Sequence, residues 1–113
     1  MKKSFLIICL ILAACSKKDT EIPAGVLSKD QMVRVLIDIH LLESKVKKLN
    51  LKVDSSQAVY RHYEQLLLED LEISREQYDR SLEFYVDEIE LLKDIYEEVS
   101  DSLLARTKSE KFD

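Results

Sequence analysis

An all-α fold is what this chain predicts, and three observations predict it. One glycine and one proline in 113 residues leave almost nothing from which to build hairpin turns or bulges. Apolar residues at 46% and charged residues at 35% suit amphipathic helices. An N-cap oxygen also stands three residues ahead of a glutamine three times, as Ser28 before Gln31, Asp54 before Gln57 and Ser74 before Gln77, each with apolar residues on either side. The expected architecture is a small three-helix bundle behind a cleaved leader and a short tether.

The leader occupies residues 1–14. Met1 to Ser4 is basic, Phe5 to Leu12 is an apolar run, and Leu12-Ala13-Ala14-Cys15 closes it with small residues before a cysteine. The run is about half the ~18–20 residues that a membrane-spanning helix needs. Leu-Ala-Ala-Cys resembles the lipobox of bacterial lipoproteins, which implies cleavage before Cys15 and lipidation of its thiol. Two or three acyl chains make a stable anchor where one is marginal. Cys9 would leave with the leader, so no disulfide is expected within the mature chain. Residues 15–26 have no apolar period and hold the only Pro and Gly, so they should form a flexible, extended tether.

The helical domain is expected over 27–106, with a polar tail over 107–113. The first helix should run from about Lys29 to Leu49 and bury Met32, Val33, Leu36, Ile37, Ile39, Leu42 and Val46. A second, from about Ser55 to Leu71, should bury Val59, Tyr63, Leu66 and Leu67. In the last segment Tyr78, Leu82, Tyr85, Ile89, Leu92, Tyr96, Val99 and Leu103 alternate by four and three, the seam of a left-handed helix pair. A continuous helix from Arg75 to Ala105 would be about 46 Å long, against about 25–32 Å for the first two. A kink near Asp87 would let it pack on shorter partners.

Charge is unevenly spread. Residues 64–101 carry fourteen acidic and three basic residues, whereas 28–53 carry six basic and three acidic. Without Lys2 and Lys3 the mature chain has 15 basic and 22 acidic residues, a formal charge of −7, which argues against a nucleic-acid partner. The acidic stretch reads as a solvated face, or as a docking face for a basic partner or a divalent-cation-dependent contact.

Catalytic signatures are missing: there is no Gly-x-Ser-x-Gly elbow, Gly-rich phosphate loop, Cys-x-x-Cys pair or His-Glu-x-x-His helix. The expectation is therefore no enzymatic activity and no cofactor. His40 and Glu43 stand out because they fall within the apolar face of the first helix. Buried there, they would have to bond to each other or to tyrosine hydroxyls, for which Tyr63, Tyr85 and Tyr96 are the candidates, forming a structural polar cluster. The alternative is a metal or small-ligand site at His40 and Glu43, conceivably enzymatic, although one such pair cannot fill a coordination shell.

The lipobox, Ile22-Pro23, the Met32-to-Glu43 segment with Asp38, His40 and Leu41, then Ile73-Ser74-Arg75-Glu76-Gln77-Tyr78 with Ser81, and finally Tyr85 and Ile95-Tyr96 with Val99 and Leu103 together resemble the small bacterial lipoproteins of the domain of unknown function 4296 family (DUF4296). The likeness covers most of the mature chain. It implies a helical protein tethered to the membrane of the cell envelope and brings no activity with it. Members often carry a proline shortly after the tyrosine matching Tyr85; Ile89 stands at that place here, which favours one long helix. The combined expectation is a lipid-anchored envelope accessory, at the outer membrane of a Gram-negative cell on either its periplasmic or its surface side. Its partners would be the membrane through Cys15 and an envelope protein or a second copy of itself.

Overall fold

The computed structural model describes residues 20–112, all of whose regular elements are helices. Cys15 and the leader lie outside the described residues. The helices are α1 (Lys29–Lys48), α2 (Val53–Asp70), α3 (Arg75–Asp87) and α4 (Ile89–Phe112). The all-α class is as expected, but among the described residues there are four helices and not three. No helix among the described residues is long and apolar enough to cross a membrane.

α1 is the central element, packed against both α2 and α4. Its start is fixed by a complete capping box: the Ser28 hydroxyl accepts from the Gln31 N–H at 3.2 Å, and the Gln31 side chain accepts from the Ser28 N–H at 2.9 Å. Met32, Val33, Val35, Leu36, Ile37, Ile39 and Val46 are buried, a face wider than the usual stripe because two neighbouring helices cover it. Asn50, at φ +50°, follows the C-cap in the left-handed conformation that ends many helices.

The second expected cap does not form. α2 begins at Val53 with Lys52 as N-cap and no side-chain cap bond, which places Asp54 inside the first turn. There its carboxylate still meets the positive end of the helix dipole. The buried face is shifted too: Glu64 and Leu68 are buried and Leu67 packs on the core, whereas Tyr63 and Leu66 are 51% and 45% exposed. α2 closes in a Schellman turn, with Ile73 N–H donating to the Leu68 carbonyl at 2.9 Å, Glu72 N–H to Glu69 at 3.0 Å, and Glu72 at φ +59°.

The third segment is interrupted at one residue. Glu88, at φ −106° and ψ 72°, leaves the helical region, yet its N–H donates to the Phe84 and Tyr85 carbonyls at 3.2 Å and its carbonyl accepts from Leu92 N–H at 3.0 Å. It serves as the C-cap of α3 and the first acceptor of α4, so the direction changes without a loop or a proline. Beyond Tyr85 the seam read through the sequence holds at Leu92, Val99 and Leu103 and fails at Ile89 and Tyr96. Past Glu88 the buried positions are Ile95 and Val99, while Ile89 and Tyr96 turn outward at 68% and 45% exposure. α4 then continues to Phe112, taking in residues expected as a polar tail.

The end of the tether is also more ordered than expected. Val26 N–H donates to the Pro23 carbonyl at 3.2 Å, closing a turn with Gly25 at φ +84°. A positive φ at the third position is what a type II turn requires, and it places the chain's single glycine where only glycine fits without strain. From this turn Leu27 enters the core, 1% exposed. Its N–H donates to the Ser81 hydroxyl at 2.8 Å and its carbonyl accepts from the Tyr85 hydroxyl at 2.7 Å.

Candidate functional site

His40 and Glu43 are paired but not buried. His40 Nδ1 lies 3.4 Å from Glu43 Oε2, with side chains 37% and 53% exposed, towards the C-terminal end of α1, where the core face is less fully covered. His40 also stands edge-on to Tyr96, with ring centroids 6.3 Å apart. Two of the other expected partners are elsewhere: the Tyr85 hydroxyl is committed to Leu27, and Tyr63 packs edge-on against His62 at 5.4 Å beside an exposed furrow between α1 and α2. The five residues His40, Glu43, Tyr63, Tyr85 and Tyr96 therefore do not gather at one point.

A different polar cluster does. Glu64 projects from α2 with its side chain 12% exposed and bonds to Arg75 Nη1 at 2.5 Å, a contact across the α2–α3 turn. Burial holds the Tyr60 phenol well above its ordinary pKa, helped by its hydrogen bond to Glu64 and by the charges of Glu64 and Glu43. Burial likewise pushes Tyr78 up to about 12, with the Glu64 charge raising it and the Arg75 charge opposing. Around the bonded pair of Glu64 and Arg75, Glu43 on α1 raises Tyr60 and Tyr96 on α4 raises Tyr78 through space.

Of the three tyrosines the sequence pointed to, Tyr96 stands near this cluster, while Tyr63 and Tyr85 do not. The available signal was the spacing of Tyr60, Glu64, Leu67, Leu68 and Leu71, a helical stripe as regular as that of Val59, Tyr63 and Leu66. Its central glutamate made it look solvated. Only the Arg75 side chain, eleven residues on, makes that burial tolerable.

Next to the cluster, an open groove of about 560 Å³ runs between α1 and α2. Val46, Leu51 and Val53 supply apolar surface, Lys47 and Arg61 cations, and Glu43 and Glu64 anions, with Tyr60 between them. The arrangement can hold an amphipathic surface through mixed contacts. The Tyr60 and Tyr78 phenols stay protonated across the physiological range and act as hydrogen-bond donors. Among the described residues no three His, Cys, Asp or Glu side chains come together as a metal site would require.

No curated protein and no solved structure matches the chain. One family model does, over residues 23–109, a span that takes in the Pro23 turn, the Leu27 contacts, the Glu64 and Arg75 pair and most of α4. The chain belongs to the family described as Domain of unknown function (DUF4296).

Proposed function

We propose that this chain is a lipid-anchored protein of the cell envelope whose helical domain serves as a binding or structural accessory and not as an enzyme. The observation that carries the second half is the mutual pairing of the polar cluster. Glu64 is bonded to Arg75, Tyr60 faces Glu64, and the phenols of Tyr60 and Tyr78 are held far from the protonation equilibrium that a general acid or base at neutral pH uses. Such a cluster fixes how helices dock and leaves the groove beside it as a surface for contact. Leu12-Ala13-Ala14-Cys15 supports the anchor, and the short stretch up to Ile22-Pro23 would join the lipid to the folded domain.

Labelling cells with a radioactive fatty acid tests the anchor: the chain should carry label and sediment with membranes, and Cys15→Ala should remove both. Label that survives Cys15→Ala refutes it. Metal analysis tests the other half. Stoichiometric zinc or iron on the purified protein, lost in His40→Ala, would replace the accessory reading with a ligand-binding site at His40 and Glu43.

A further inference from the structure

The end of the α1–α2 hairpin has a composition that folding alone does not account for. Leu49, Leu51 and Val53 are 56%, 42% and 72% exposed, and Lys47, Lys48 and Lys52 beside them are exposed as well. Across residues 44–62 there are five basic side chains, namely Lys45, Lys47, Lys48, Lys52 and Arg61, against the single acid Asp54. Among the described residues none of these five cations is in an ion pair, although the rest of the domain is strongly acidic.

Lysines in the last turn of α1 answer the negative end of its dipole, so positions 45, 47 and 48 have a local reason. Lys52 has none. It is the N-cap of α2, where a cation opposes the dipole and an Asp or Ser would supply the missing cap bond. Three aliphatic side chains exposed within five residues are equally without a folding reason. Local rules broken together at one turn indicate a contact made there.

The combination of aliphatic tips and long cationic stems suits a membrane interface, where the apolar groups enter the acyl boundary and the ammonium groups stay among anionic headgroups. A fluid surface needs no shape complement, unlike a protein partner. Reach also fits, given the anchor proposed above, on which this inference rests. The chain from Cys15 to Pro23 extends at most about 28 Å, and α1 is about 30 Å long, so α1 can lie along the bilayer holding the lipid. We propose that the tip over residues 47–53, through Lys47, Lys48, Lys52, Leu49, Leu51 and Val53, rests on the anionic phospholipid surface in which the Cys15 lipid is held.

The test uses the full lipidated protein carrying Leu51→Cys labelled with an environment-sensitive fluorophore. It is reconstituted in phosphatidylcholine vesicles with and without phosphatidylglycerol, and flotation reports anchoring separately. The expected result is flotation with both vesicles, and a several-fold brightening with a blue shift on the anionic ones alone, abolished when Lys47, Lys48 and Lys52 are all changed to Glu. Protein that floats but stays dim, or brightens equally on neutral vesicles, overturns the tip contact and leaves the anchor standing. Brightening that grows with protein density on the vesicle points to a second copy and also overturns it. Failure to float removes the anchor and this inference with it.

Discussion

Tyr85 and Leu27, fifty-eight residues apart, are joined by a 2.7 Å hydrogen bond from the Tyr85 hydroxyl to the Leu27 carbonyl. Ser81, one turn earlier on α3, accepts from the Leu27 N–H at 2.8 Å and donates to the Gln77 carbonyl at 2.6 Å. Both polar backbone groups of the residue before the α1 cap are thereby satisfied inside the core. Tyr85→Phe and Ser81→Ala each leave a buried backbone group unpaired, and each is expected to cost about 1–3 kcal/mol. Urea unfolding checks this; a midpoint unchanged for either variant would show that water reaches Leu27.

The Glu64 and Arg75 contact gives a second, sharper test. Arg75 is 40% exposed, so solvent screens part of the interaction, and Arg75→Met should cost about 1–2 kcal/mol by leaving the Glu64 carboxylate uncompensated. Combining it with Glu64→Leu removes the stranded charge and extends the apolar stripe of α2. The double variant should recover most of the loss in a double-mutant cycle. Additive losses would mean that Glu64 is held by something other than Arg75.

High pH should loosen the domain. Tyr60, Tyr78 and Tyr85 all have raised phenol pKa values, with burial as the first cause. Between the unfolded value near 10 and the folded value of about 12 for Tyr78, the native state keeps a proton that the unfolded chain has lost. Stability is therefore complete below pH 10 and falls as pH rises through that window. Denaturant midpoints at pH 9 and pH 11.5 should show a clear drop, made smaller by Tyr60→Phe; equal midpoints would contradict the burial of these phenols.

The parts of the fold legible in the sequence were those set by neighbours. Ser28 with Gln31 announced α1, and Ser74, whose hydroxyl accepts from the Gln77 N–H at 3.1 Å, announced α3. What stayed hidden was set by distant partners. Glu64 is buried because of Arg75 on another helix, and Tyr85 is aimed at Leu27 across most of the domain. The candidate site was half legible: Glu43 and Tyr96 were in view, while Tyr60 and Tyr78 lay on stripes that a charged residue disguised. The mismatch in helix length placed a kink near Asp87, one residue from Glu88, but periodicity alone could not foresee that Ile89 and Tyr96 turn outward after it, because a seam of four and three describes a continuous helix.

That junction supplies the last prediction. In a continuous helix, proline at position 89 would remove a hydrogen bond and clash with the preceding turn, at a cost of about 3 kcal/mol or more. In this fold Ile89 is the first residue of α4, where proline is favoured, and it is 68% exposed. Proline also drives the preceding residue out of the helical region, and Glu88 is already there, at ψ 72°. Ile89→Pro should thus change stability by less than about 0.5 kcal/mol, with the restriction of the unfolded chain acting in its favour. A loss near 3 kcal/mol, with helical content falling in circular dichroism, would show α3 and α4 to be one helix in solution.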